Sequence, residues 1–243
     1  MDEKKAKVLV LVEGAKTDVH IMNHLFEVYG IDKNHQIVSY NTNIYELYRR
    51  MFVNVDPYEM DLLQVLKERD PDNRALDDRY SDILLIFDLD QQDGRFSEAS
   101  IREMVGYFTD STDMGKLYLN YPMVEAYYHM KTIPDNDYPA YTATLDELKA
   151  KQYKARVRRE CRNGYPRKYA VNKEECDSII RQNIDKARQI IGDDRKTDGA
   201  VPDGMEILSA QLEQLKTCRS VYVLCTCVYY IPDYNPNLVL GLA

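Results

Sequence analysis

Three apolar runs in the first half of the chain each give way to a polar turn that carries acid. Lys7 to Val12 (KVLVLV) leads into Glu13-Gly14, and Ile83 to Phe87 (ILLIF) leads into Asp88-Leu89-Asp90. Leu117 to Leu119 leads into Asn120-Tyr121-Pro122-Met123-Val124-Glu125. Short continuous apolar runs bounded by turn residues read as strands buried on both faces. Between them the period changes. Val19, Met22, Leu25, Phe26 and Tyr29 fall at helical spacing within Lys16 to Tyr29, and Gly30 is a natural stop. Gln36 to Tyr40 reads as a short strand. Asn43 to Phe52 and Glu59 to Lys67 read as helices, Asp70 to Arg79 as a turn-rich connection, and Ser97 to Phe108 as a helix with Ser97 as its cap. Lys116 to Leu119 is the next strand, and Pro122 to Met130 is predicted to begin a helix with proline in its first turn. This alternation predicts an α/β fold with a parallel sheet flanked by helices.

The second half has a different texture. Ile133 to Pro139 reads as a break, so the pattern divides into 1–133 and a mostly helical C-terminal region, 134–243. Leu145 to Arg162 reads as a basic helix. Asn172 to Ile191 is a clear amphipathic one, opened by Asn172 and Glu175 in a capping-box-like pair and closed by Gly192. Gly192 to Gly204 reads as a polar loop and Met205 to Lys216 as a helix. Ser220 to Ile231 is apolar and fits either strand or helix.

Composition narrows the class. With 243 residues, 44% of them hydrophobic and 30% charged, the chain can bury a sizeable core. No apolar stretch is long enough to span a bilayer, so no membrane partner is expected. The amino terminus, Met-Asp-Glu-Lys-Lys, does not read as a signal peptide. The five cysteines (161, 176, 218, 225 and 227) are an odd count, which suits reduced thiols and a cytoplasmic location. Cys225 and Cys227 read as buried structural thiols, because no second pair and no histidine accompanies them. His20 and His24 stand four apart without a third ligand and read as helix-surface residues.

Charge is unevenly spread. The net charge is −8, yet Lys149 to Lys168 holds nine Lys or Arg against Glu160 alone, a net of 9 − 1 = +8, which leaves −8 − 8 = −16 elsewhere. A basic segment interleaved with Tyr153, Tyr165 and Tyr169 suits phosphate contact and base stacking. The same segment also fits a solvated helix face or an interface with an acidic partner. Lys16, Lys154, Arg156, Arg158, Arg159 and Arg162 are the candidate nucleic-acid contacts.

In a parallel sheet the carboxyl ends of the strands share one edge, where ligands bind. Carboxylates gathered there repel one another unless a cation lies between them, and oxygen-only ligands suit Mg²⁺ or Mn²⁺. Asp88 and Asp90 share one side of the strand end, and Glu13 can move a proton to or from an oxygen near such a cation. The plain alternative is that Glu13 caps the next helix and the Asp-x-Asp is a polar turn. Asp93-Gly94 fits a ligand or a simple turn, and Glu125 a further site acid or a surface glutamate. A phosphotransfer reading, with Asp88 as nucleophile and Lys116 beside it, also stays open.

Val12-Glu13-Gly14-Ala15-Lys16-Thr17-Asp18 resembles the E-G-x-x-[ST]-[DE] opening motif of TOPRIM domains, and Asp88-Leu89-Asp90 resembles their later D-x-D. The resemblance covers about residues 6 to 131. It implies a Mg²⁺- or Mn²⁺-dependent phosphodiester reaction with Glu13 as general acid or base and Asp88 and Asp90 on the metal, and it makes Asp93 a further metal candidate. The segment around Glu125 is similar to one in OLD-type TOPRIM nucleases and implies a fourth acid there. No Walker A sequence is present, so the chain resembles the stand-alone TOPRIM nucleases, OLD-like or RloB-like, of two-gene anti-phage systems. That implies a toxic effector acting on DNA, tRNA or other RNA, with a separate ABC-type ATPase as partner and a homodimer left open. The alternative is a non-catalytic TOPRIM-like subunit that binds the ATPase or nucleic acid without cutting.

Overall fold

The computed structural model describes residues 7–162, 169–193 and 200–239. The amino-terminal residues, Tyr165, Arg167, Lys168 and part of the loop expected before Gly204 lie outside the described residues. Along the first half run β1 (Val8–Val12), α1 (Thr17–Tyr29), β2 (His35–Ser39), α2 (Ile44–Met51), α3 (Leu62–Arg69), β3 (Asp82–Asp88), α4 (Glu98–Tyr107), β4 (Thr109–Asp110) and β5 (Gly115–Asn120). The sheet has the order β2-β1-β3-β5-β4. The first four strands are parallel and β4 pairs antiparallel with β5. All five residues of β1 are buried, as expected of a strand covered on both faces.

The register fixes where chemistry gathers. Val12 pairs with Ile86 and Ser39, and Asp88 pairs with Asn120. The residues that follow β1, the end of β3 and the end of β5 therefore share the carboxyl edge. Gly30 ends α1 in the left-handed conformation, and Ser97 caps α4 by accepting from Ser100 N–H. The connection from β2 to β3 is not a single crossover. Met51 at the end of α2 and Leu62 at the start of α3 share a cavity with Ile83, the second residue of β3, which puts them at the amino edge. At the far end of α3, Arg69 stands over the ring of Tyr40, which follows β2. The helix thus runs back up beside the edge strand.

Two expected elements differ. The segment after β5 is not a regular helix. Tyr121–Pro122 is cis, and Val124–Tyr128 forms a 3₁₀ turn whose side chains are all buried. Its first amide is drawn to Asp88, because Val124 N–H donates to Asp88 Oδ1 at 2.8 Å. The basic helix is broken in two, α5 (Leu145–Lys149) and α6 (Tyr153–Glu160), with Lys151 between them at φ 56°.

After residue 133 the chain is not purely helical. β6 (Thr142–Thr144) pairs with β7 (Ser220–Tyr222), and α7 (Lys173–Ile191), α8 (Gly204–Cys218) and the short α9 (Tyr230–Tyr234) complete it. Ser220 to Ile231 is neither one strand nor one helix, but β7, a bridge from Leu224 to Tyr121, a 3₁₀ turn and the start of α9. This part packs on the first. Tyr29 Oη donates to buried Asp177 at 2.6 Å. Buried Asn120 Oδ1 accepts from the amides of Thr226 (3.1 Å) and Cys227 (3.2 Å). Cys225 and Cys227 are buried free thiols with sulfurs 3.2 Å apart. No helix among the described residues is long and apolar enough to cross a membrane.

Removing the acceptor at Asn120 leaves two buried amides unpaired, each worth about 1–3 kcal/mol. Asn120→Ala should therefore lower unfolding free energy by about 2–6 kcal/mol, against about 1 kcal/mol for losing the Asn172 cap of α7. Urea titration of both variants measures this; equal losses would show that Asn120 is not the tie between the two parts.

Candidate active site

Five carboxylates converge at the carboxyl edge. Glu13 follows β1, and its Oε2 accepts from Asp88 N–H at 3.1 Å, which joins two neighbouring strand ends directly. Asp88 is buried, with Oδ1 held by Val124 N–H. Asp90 sits two residues on at φ 44°, an unusual conformation for a residue with a side chain, and its Oδ1 accepts from Gln92 at 2.7 Å. Glu125 is buried on the 3₁₀ turn after β5. Asp18, in the first turn of α1, is buried as well. Gly14 makes room for it, since a Cβ there would lie 2.7 Å from Asp18 Oδ2.

The acids disturb one another as buried like charges must. Burial first, then the charge of Asp90, pushes Glu13 up to about 9, against the pull of the Asp88 amide. Burial raises Asp18 to about 6; the amides of Gly14 and Asp18 pull it down and Glu125 pushes it up. Asp88 is raised well above the carboxylate range by burial and by Glu13, and Asp90 is raised chiefly by burial. The opposing charge is Lys154, on α6, whose Nζ lies 2.8 Å from Glu125 Oε1. Burial works against its ammonium, but Glu125, Asp88 and Asp18 outweigh that and raise its pKa.

The residues expected to act divide into three groups. Glu13, Asp88, Asp90, Glu125 and Lys154 come together. Asp93 does not join them as a free ligand. Arg95 grips it with two hydrogen bonds (3.0 and 2.9 Å), Asn43 donates to it at 2.8 Å, and Arg95 first among these holds it down to about 2. The third group is the remainder of the basic segment. Arg156 pairs with Glu147 at 3.2 Å and donates to Thr142 O at 2.7 Å; Arg162 pairs with Glu175 at 2.6 Å. Those two arginines brace the fold instead of lining a phosphate track. Arg159 is exposed and pairs with its neighbour Glu160; Arg158 and Lys16 are exposed, Lys16 just before α1. Lys116 is far from Asp88. It pairs opposite Leu84, four residues down the strand, and binds Asp233 at 2.5 Å, so the phosphotransfer pairing is not formed. His24 is half-buried, its Nε2 2.7 Å from Ala170 O, rather than a surface residue.

Asp18 is the site acid that residue-by-residue reading passed over. Its signal was present, as the last position of the Glu13-Gly14-x-x-Thr17-Asp18 pattern.

Among the described residues no three His, Cys, Asp or Glu side chains stand ready to hold a metal ion. The donor set nevertheless fits a hard divalent cation. All its acidic groups offer oxygen, and Asp18 Oδ1 and Glu125 Oε2 are buried without a hydrogen-bond partner. A cation there would satisfy both and relieve the repulsion. Compared with family models, curated proteins and solved structures, the chain matches none.

Over the window between the ordinary glutamate value and about 9, the folded chain keeps a proton on Glu13 that the unfolded chain has released. Stability then falls as pH rises, by at most about 1.4 kcal/mol per unit for one proton. Glu13→Gln keeps the acceptor and has nothing to titrate. In chelator, its stability advantage over the wild type should grow between pH 6 and pH 8.5. A difference that is flat or shrinks with pH would contradict the buried, protonated Glu13. Lys154→Met should lower the melting temperature, and more at pH 8.5 than at pH 6, since it removes the only ammonium paired with the described cluster acids.

Proposed function

We propose that the protein is a divalent-metal-dependent nuclease of TOPRIM type that hydrolyses phosphodiester bonds in nucleic acid. The observation that carries this reading is the meeting of Glu13, Asp18, Asp88, Asp90 and Glu125 at one strand edge, with two buried oxygens left unpartnered. The order of the Glu13-Gly14 and Asp88-x-Asp90 motifs along a mostly parallel sheet supports the family assignment.

Asp88, Asp90, Asp18 and Glu125 would hold Mg²⁺ or Mn²⁺. The metal supplies positive charge against phosphate oxygens and acidifies water. Everything else falls to the chain. The Val124 amide fixes one oxygen of Asp88 and leaves the other free to bind. The Asp88 amide fixes Glu13 Oε2, so the proton that burial keeps on Glu13 belongs on Oε1, where it is available to a leaving oxygen or can be replaced by one from water. Lys154 reaches the acids from α6 and balances charge as substrate phosphate enters. Leu89 and the flanking strands keep the floor apolar, which strengthens each of these interactions.

Asp88→Asn and Asp90→Asn should each reduce cleavage of nucleic acid by about a hundredfold or more while the fold persists. Metal-free Asp88→Asn should also melt higher than the wild type as pH is raised, because the wild-type carboxyl must then either hold its proton or ionise among buried acids. The assay is cleavage of labelled RNA and DNA in Mg²⁺ or Mn²⁺, beside melting curves in chelator and in metal. Binding without cleavage by the wild type would favour the non-catalytic reading; full activity of both variants would remove the assignment.

A further inference from the structure

The carboxyl edge has a second flank, beyond β2, that the acid cluster does not use. A cavity of about 280 Å³ opens there between the end of β2 and the end of α3. Ser39, Tyr40, Asn41, Arg69, Asp70 and Asn73 line its polar side. Tyr40 is 4% exposed, and its hydroxyl has no hydrogen-bond partner. The Arg69 guanidinium lies over the Tyr40 ring, 4.6 Å from the centroid. Among the described residues no carboxylate is paired with Arg69. The acid beside it, Asp70, accepts instead from Asn73 Nδ2 at 3.1 Å. The cavity adjoins the cluster through the backbone, because Asn41 N–H donates to Glu13 O at 2.9 Å.

The buried hydroxyl has no acceptor, and the guanidinium beside it is engaged by Tyr40 but by no carboxylate among the described residues, so both keep donor capacity for an anion. Arginine's fixed fork of N–H groups matches phosphate oxygens, and a charge-assisted bond to a buried phenol is stronger than a neutral one. We propose that Arg69 and Tyr40 form a phosphate-binding subsite that takes a backbone phosphate of the nucleic-acid strand adjacent to the bond under attack. This rests on the nuclease reading and deepens it. Lys154 meets the strand on one side of the acids and Arg69 on the other, so the strand crosses the carboxyl edge from α6 to α3. The return of α3 along the edge strand is what puts Arg69 there. A single crossover helix would have ended at the amino edge.

The test uses the full chain and labelled oligonucleotides in which one phosphate at a time is replaced by an uncharged methylphosphonate. Binding and cleavage are compared for the wild type, Arg69→Gln and Tyr40→Phe, after melting curves establish that each variant is folded. The wild type should show one position, at a fixed distance from the cut, where neutralisation weakens binding several-fold. In Arg69→Gln that position should lose its penalty while the others keep theirs, and the salt slope of binding should fall by about 1. Tyr40→Phe should reduce the same penalty without changing the slope. A merely structural role for Arg69 would weaken all positions alike. An interference profile unchanged in Arg69→Gln, with cleavage intact, overturns the subsite and leaves the nuclease reading standing. Failure of the wild type to bind or cut any of these strands overturns both.

Discussion

Negative charge crowded where water cannot reach is the constraint to which the rest of this structure answers. Five acids from four chain segments meet at the end of a parallel sheet, and burial alone makes their ionised forms costly. The fold tolerates them through small, specific devices. Two backbone amides, from Asp88 and Val124, orient two of the acids. A missing side chain at Gly14 lets Asp18 close in. One ammonium, brought by α6, offsets part of the charge. The residual repulsion is the property that makes the edge receptive to cations.

Much of this was legible in the sequence because it is local. An apolar run followed at once by acid gives both a buried strand and the edge on which its acid falls, so Glu13, Asp88 and Asp90 could be grouped without coordinates. Helix stops at Gly30 and Gly192 and the caps at Ser97 and Asn172 follow from neighbouring residues alone. The misreadings share a cause of the opposite kind. Arg156 and Arg162 look uncommitted in a charge count, yet Glu147 and Glu175 neutralise them, the latter from thirteen residues away. Asp93 looks like a third ligand until Arg95, two residues on, closes over it. The helix expected from Pro122 gives way to a 3₁₀ turn, a tertiary preference for placing the Val124 amide on Asp88 over a regular run. β4, at two residues, is too short to leave any periodic trace.

The C-terminal half is better described as the other wall of the edge than as an appendage. Its α6 carries the cluster's ammonium, its α7 packs on α1 through Tyr29 and Asp177, and its β7 region bridges to Tyr121 just past the end of β5. Charge density along the chain suggested a surface for ligands here. Among the described residues, Arg156 and Arg162 of the basic segment serve cohesion and Lys154 turns into the acids.

Asn120 gives the architecture a direction in time. Its carbonyl oxygen stands beside Asp88 at the end of β5 and waits for the amides of residues 226 and 227, more than a hundred positions later. Glu13 follows β1, Asp18 opens α1, Asp88 and Asp90 lie at the end of β3, and Glu125 follows β5, so the cluster draws on the first half of the chain, whereas the end of β5 is closed by residues far along the second. Such a contact costs loop-closure entropy before it returns any binding energy, which places the sealing of this edge among the late events of folding.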